Sequence, residues 1–258
     1  MTGYDILGNI AIVKFDRKMR LSGKKKFASQ LMRENKQVRT VLEKAGKFSG
    51  RLRTQKGKYI IGEKTKEALY KENGCEFRFN VDTCYFSPRL ASERKEIASM
   101  IKKGESVLVM FGGVAPFAIV IGKLSQADRV VSVELGRECS KYALQNVKRN
   151  KLNDRVEIIQ GDVRKVCLKM VKDKKRFDRI VMARPNLKDD FLDTAFPLVK
   201  KGTIYYYGFY DEDKLDDLRE LIEKRAKEAK KRIKIIGIKK AGDIGVKKFR
   251  YRADVNVG

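Results

Sequence analysis

Beyond Pro88 the chain alternates short, almost wholly apolar runs with longer amphipathic segments. That alternation constrains the fold more than any other feature. Ser106–Met110, Arg129–Glu134, Val156–Gln160, Phe177–Met182 and Thr203–Tyr207 read as strands. Helical spacing fills the intervals at Ala91–Lys102, Pro116–Leu124, Glu138–Asn150, a short stretch after Asp162, Lys188–Val199 and Glu212–Arg232. Strands without a polar face belong to a parallel sheet covered by helices on both sides. Right-handed crossovers then wind the sheet in two directions. Two last strands, Ile233–Ile238 and Phe249–Val257, close the chain, the second alternating Phe249, Tyr251, Ala253 and Val255 on one face. The expected fold class is α/β, doubly wound, over residues 84–258.

Residues 1–83 follow another rhythm and read as a small basic α+β domain. A strand is expected at Ile10–Phe15, a helix near Lys24–Glu34 and a strand at Val38–Leu42. A hairpin joins Glu67–Tyr70 to Glu76–Val81 across Asn73-Gly74. Arg51–Lys58 is polar and Gly-containing and reads as a basic loop. The whole chain carries a net charge of +27, and between Lys14 and Lys66 there are 18 Lys/Arg against 4 acids. Such a field attracts polyanions, nucleic acid first among them.

Composition also excludes chemistry. The chain has no histidine, which removes Ser-His-Asp and Cys-His catalysis, imidazole bases and His metal sites. Cys75, Cys84, Cys139 and Cys167 never fall at C-x-x-C spacing, so neither a zinc ribbon nor any other metal site is expected, and the thiols read as buried and reduced. No apolar run reaches the roughly 18 residues of a membrane span and no signal-peptide pattern opens the chain. A cytosolic protein, without membrane association and monomeric, is the expectation.

Ligands of a doubly wound sheet bind at the carboxyl ends of its strands. The first such end reads Met110-Phe111-Gly112-Gly113-Val114-Ala115-Pro116-Phe117, where paired glycines permit close approach to the backbone or simply form a tight turn. The second ends at Glu134, placed to accept hydrogen bonds from ribose hydroxyls. The third ends in Gly161-Asp162-Val163, where the acid serves a ligand or caps the next helix. Gly-Gly, an acid and Gly-Asp on three strand ends favour S-adenosylmethionine over a dinucleotide, because the full G-x-G-x-x-G pattern is missing.

Tyr85-Phe86-Ser87-Pro88-Arg89-Leu90-Ala91-Ser92-Glu93-Arg94 resembles the archaeal- and eukaryotic-type tRNA guanine-N1 methyltransferases that act at position 37. Collinear matches precede and follow it: Lys71-Glu72-Asn73-Gly74, the Phe111-Gly112-Gly113 loop, Asn146-Val147-Lys148-Arg149-Asn150-Lys151-Leu152, Asp178-Arg179-Ile180-Val181-Met182 and Lys201-Gly202-Thr203-Ile204. The sister wybutosine-pathway aminocarboxypropyltransferases share the layout. The resemblance covers nearly the whole chain from about Ile6. It implies a Rossmann-like methyltransferase sheet, S-adenosylmethionine as cofactor, tRNA as partner and the small N-terminal domain as an RNA-binding one. It further implies Glu93 as general base, Arg53 against the target base and Arg89 ordering the same pocket. Tyr85, Phe111, Gly112, Gly113, Ala115, Glu134, Asp162, Val163 and Pro185 would surround the cofactor.

The sequence departs from that family at identifiable places. Ala183-Arg184-Pro185 stands where Asn-Leu-Pro is usual, Val109 replaces an acid and Ala115 replaces a glycine. The N-terminal tRNA-elbow module is not found, as in the shorter aminocarboxypropyltransferases. Guanine N1 becomes a good nucleophile only as its proton leaves, and without histidine a carboxylate or a lysine must take it. Arg89 or Arg53 would meet the charge developing toward O6. From local sequence alone, Glu93 reads as an ion-pair partner of Arg89 or Arg94 at a helix start; it is the collinear motif that favours the base. The aromatic run Tyr205–Tyr210 reads as a buried strand, with base stacking as the other possibility.

Overall fold

The computed structural model describes residues 3–50, 54–183, 189–245 and 248–258. The first four strands form one mixed sheet in spatial order β1 (Gly3–Leu7), β2 (Ile10–Lys14), β3 (Thr40–Ser49), β4 (Thr54–Gly62). Strands β2 and β3 are parallel and are joined through helix α1 (Leu21–Glu34). Side chains alternate across a strand. Ala11 and Val13 therefore join Ala28, Leu31, Val41 and Ile60 beneath α1, while Ile10 turns to the opposite face. There it meets the hairpin of β5 (Glu67–Glu72) and β6 (Cys75–Asn80), whose Phe77 and Phe79 are buried.

Strand β1 is absent from the sequence-based expectation. It pairs with β2 across Gly8-Asn9, and Gly8 has a φ of +61°. A Cβ at Gly8 would come within 1.8 Å of the Leu69 carbonyl oxygen, so the turn docks directly on β5. Residues 54–58 of the expected basic loop belong instead to edge strand β4. Its charged, exposed residues hide the apolar alternation, a common way of protecting an edge. Arg51, Leu52 and Arg53 lie outside the described residues.

The second sheet has seven strands. Its parallel members are β7 (Ser106–Met110), β8 (Arg129–Glu134), β9 (Val156–Gln160), β10 (Phe177–Met182) and β11 (Val199–Asp211). Antiparallel β12 (Ile233–Gly245) and β13 (Lys248–Val257) complete it in the order β12-β13-β11-β10-β7-β8-β9. Helices α2 (Ala91–Met100), α3 (Pro116–Leu124) and α4 (Arg137–Arg149) cover the face that carries Val107, Val109 and Val181. Helices α5 (Val163–Lys172), α6 (Leu192–Ala195) and α7 (Leu215–Glu228) cover the face that carries Leu108, Met110 and Met182. The sheet is doubly wound, as expected.

Several expected elements change length. The helix predicted at 188–199 shrinks to α6 plus a 3-10 turn at Phe196–Leu198, where Pro197 lacks an N–H to donate. Strand β11 continues past Tyr207 to Asp211 because β13 pairs with it throughout, from Gly202↔Val257 to Asp211↔Lys248. The last helix therefore starts only at Leu215. Strand β12 carries a bulge, Ile235↔Val255 being followed by Gly237↔Asp254, with Ile236 as the extra, exposed residue.

Helix α4 grips the edge of β6 with amides. Asn146 accepts from the Arg78 N–H and donates to the Arg78 and Val114 carbonyls. Asn150 accepts from the Glu76 N–H and donates to its carbonyl. Two side chains four residues apart share one helix face and replace a neighbouring strand.

Candidate active site

Strands β7 and β10 are the point where chain order reverses, and a cleft opens at their carboxyl ends. Its walls are largely aromatic: Tyr85, Phe86, Phe111, Phe191, Tyr207 and Phe209. Such walls suit a flat heterocycle.

The floor is the turn after β7. Phe111, Gly113 and Ala115 all have left-handed backbone, with φ of 64°, 58° and 66°. Two of these are not glycine, and each such residue costs on the order of 1 kcal/mol. Gly112 packs so closely that a Cβ would fall 2.1 Å from the Ser132 hydroxyl. Phe111 meets Phe191 edge to face at 4.9 Å. Pro116 starts α3 with its preset φ. Ala115 is fully buried beneath the turn and does not line the cleft.

Glu134 fixes this turn. One carboxylate oxygen accepts from the Gly113 N–H at 2.7 Å and the other from the Gly136 N–H at 2.6 Å. Burial pushes its carboxyl above the ordinary range, and the backbone donors oppose that shift. A carboxylate has about four lone-pair sites, and with the Gly113, Gly136 and Leu135 N–H groups directed at it, one remains for a ligand hydroxyl. Asp162 lines the cleft and also caps α5, accepting from the Arg164 N–H at 2.9 Å. The cap is thus observed, and the same side chain borders the cleft. Val163 stands beside it. Tyr85, Phe111, Gly112, Gly113, Glu134, Asp162 and Val163 are thus brought together, whereas Pro185 and Arg53 lie outside the described residues. Ala183, where the resembled family carries Asn, also faces the cleft.

Arg89 does not line the cleft. Its side chain is 68% exposed and pairs with Asp5 at 2.7 Å. That partner sits on β1, the strand not anticipated from sequence. Glu93 does not itself line the cleft, and it pairs with neither Arg89 nor Arg94. It lies in the first turn of α2, 7% exposed, and accepts from the Tyr207 hydroxyl at 2.7 Å and from Arg252 at 3.0 Å. Lys239 approaches its other oxygen at 2.8 Å. Burial first, then the Glu93 carboxylate, pushes the Tyr207 hydroxyl well above its usual range, so it remains a donor. Arg94 is 1% exposed, forms a fork on Glu72, donates to the Ser87 carbonyl and lies over the Phe86 and Phe117 rings.

Sequence reasoning missed Tyr207 as a site residue, together with Arg252 and Lys239. The aromatic run and the alternation of the last strand were their signals, but both were absorbed by the expectation of a buried strand. The four thiols are free and buried. Burial raises Cys75 to about 11 and Cys167 to about 12, so neither is a nucleophile near neutrality.

Comparison with known proteins agrees with this geometry. A family model for the TRM5/TYW2 methyltransferase domain matches residues 68–236, and one for the TYW2 N-terminal domain matches residues 1–65. The tRNA (guanine(37)-N(1))-methyltransferase Trm5b of Pyrococcus abyssi is 35% identical over 229 residues, covering 86% of this chain. The chain spans 66% of that protein's length. The tRNA (guanine(37)-N(1))/4-demethylwyosine(37)-methyltransferase Taw22 of Nanoarchaeum equitans is 31% identical, with 98% of each chain covered. The crystal structure of Pyrococcus abyssi Trm5b superimposes with a TM-score of 0.86 at 31% identity, over 99% of this chain and 75% of that one. Fold, cleft and both family models converge, and the chain belongs to the TRM5/TYW2 methyltransferase family.

Proposed function

We propose that the protein is an S-adenosylmethionine-dependent tRNA methyltransferase that modifies N1 of guanosine at position 37. The observation that carries this reading is a buried carboxylate, Glu93, set one hydrogen bond behind the wall of a cleft whose other end carries Glu134 over a Gly-Gly turn. The residues fit the cofactor: Glu134 keeps an acceptor site for a ribose hydroxyl, and the aromatic walls accept an adenine. When bound, S-adenosylmethionine supplies an activated methyl group on a sulfonium. The chain's own task is then alignment and proton removal. Glu93 takes the N1 proton, and Tyr85, Phe111, Asp162 and Val163 hold the nucleoside end of the cofactor. Arg53 meets the target base.

Glu134→Ala should weaken cofactor binding by about 1.5–3 kcal/mol, the worth of hydrogen bonds to a charged group, as read by isothermal titration. Unchanged affinity would place the ribose elsewhere. The N-terminal sheet and α1 carry the RNA. Lys25 and Lys26 are exposed, whereas Lys24 is tied to Glu43 at 2.5 Å. Lys25→Glu with Lys26→Glu should reduce the slope of log affinity against log salt by roughly 1.5–2, as two phosphate contacts disappear. An unaltered slope would move the RNA face off α1.

A second reading has its own observation. Residues 1–65 match the TYW2 N-terminal domain, and the family spans both activities. The deciding experiment uses unmodified tRNA and cofactor labelled separately in the methyl and aminocarboxypropyl groups, followed by nucleoside mass spectrometry. Methyl label in 1-methylguanosine is the expected result. Transfer of the longer group selects the second reading, and no transfer at all overturns both. 4-Demethylwyosine-bearing tRNA is the next acceptor to test, since the Nanoarchaeum relative is named for both.

A further inference from the structure

Three side chains that hold Glu93 form a single row across three neighbouring strands. Tyr207 on β11 is the register partner of Arg252 on β13, and Arg252 is the register partner of Lys239 on β12. Register partners point to the same face, and here that face lies against α2. Tyr207 and Arg252 donate to Oε2 of Glu93, and Lys239 sits on Oε1. Arg252 is itself held by Asp254 at 2.6 Å and by Glu96, one turn along α2, at 2.8 Å. Lys239 also reaches Glu96. The Tyr207 ring leans edge-on against Phe117 of α3.

A carboxylate offers about four lone-pair sites. The donors among the described residues fill both sites on Oε2 and one on Oε1. We infer that Tyr207, Arg252 and Lys239 are positioning residues that leave a single site, the second lone pair of Oε1, to receive the substrate proton. This rests on the methyltransferase reading above. The step balances: the N1 proton passes to Oε1, the N1 electron pair forms the new C–N bond, and the C–S bond of the sulfonium breaks with its pair on sulfur. The row fixes which oxygen works and in which direction it points. Lys239 is the adjustable member, because its side chain is 41% exposed and lies on an edge strand.

The test is a double-mutant cycle in single turnover, with tRNA and cofactor saturating. Tyr207→Phe and Lys239→Met should each slow transfer by about tenfold, the effect of one lost hydrogen bond on a reacting geometry. KM for tRNA and cofactor affinity should stay within about twofold, and Lys239→Arg should recover most of the rate. In a Glu93→Gln background the same two substitutions should change the rate by less than about twofold, since the group they orient is gone. A purely structural role for Tyr207 or Lys239 would slow both backgrounds alike, and that result overturns the assignment. Wild-type rates in Lys239→Met overturn it as well, and that variant tests the row even where Tyr207→Phe folds poorly. A wild type that transfers nothing overturns the methyltransferase reading and this assignment with it. A wild type that transfers, with an additive cycle, overturns this assignment alone.

Discussion

Glu93→Gln should cut single-turnover methyl transfer by about 10²–10⁴-fold, the usual worth of a positioned general base, while cofactor affinity stays near that of the wild type. The separation follows from geometry. Glu134, the Gly113 turn and Asp162 lie at the cofactor end of the cleft, and Glu93 makes no contact with any of them in the hydrogen-bond network. Glutamine preserves the shape and can still accept from Tyr207 and Arg252, but it removes the negative charge and the carboxylate oxygen that would take the proton. Rapid-quench measurement of the chemical step, with isothermal titration of the cofactor beside it, checks both halves. A Glu93→Gln enzyme of normal rate would take this residue out of the reaction.

The largest loss of stability should come from the ion pair between Arg94 and Glu72, whose side chains are 1% and 3% exposed. Removing one member of a buried pair leaves an uncompensated charge and typically costs about 3–5 kcal/mol. Arg94→Met should therefore lower the unfolding free energy by about that amount in urea titration. On heating this corresponds to roughly 6–20 °C for a chain of this size. The same change frees the Ser87 carbonyl and removes a cation from between Phe86 and Phe117. The wall of the cleft should loosen with the hairpin, and cofactor binding should weaken in parallel. Replacing both partners with apolar residues of similar volume should recover most of the stability, because the cost is an orphaned charge rather than a lost attraction. A double variant as unstable as Arg94→Met would contradict that account.

The parts legible in the sequence were those whose signals are local. Ser106–Met110, Arg129–Glu134, Val156–Gln160 and Phe177–Met182 are observed with the boundaries read from sequence, because short apolar runs stand out from their polar flanks. Helix Pro116–Leu124 has the same clarity, since a proline opens it. Apart from the helix read at 188–199, which Pro197 cuts short, what failed was non-local. Nothing in Thr203–Tyr207 announces that β13 will carry the strand four residues further, and nothing in Gly3–Leu7 announces its partner. The site divides in the same way. Glu134 and Asp162 are found by their position at strand ends. The partners of Glu93 were sought at Arg89 and Arg94, its neighbours in sequence, whereas Tyr207 and Arg252 lie 114 and 159 residues away. Arg94 is instead drawn to Glu72, on a hairpin that the sequence placed on the other side of a domain boundary.

The extra residue at Ile236 works as a one-residue counter. Were β12 to run on from Ile235↔Val255 without it, Ile238 would stand opposite Arg252, and Lys239 would turn to the other face beside Tyr251. The ammonium group reaches Glu93 because the strand is one residue longer than a regular ladder requires. Insertions and deletions in this outer strand are therefore changes to the chemistry even when every residue around the cleft is kept. A single added residue between Ile235 and Lys239 that the ladder absorbed in register would put an aliphatic side chain where a cation now sits. Strand length, as much as residue identity, is inherited machinery in this fold.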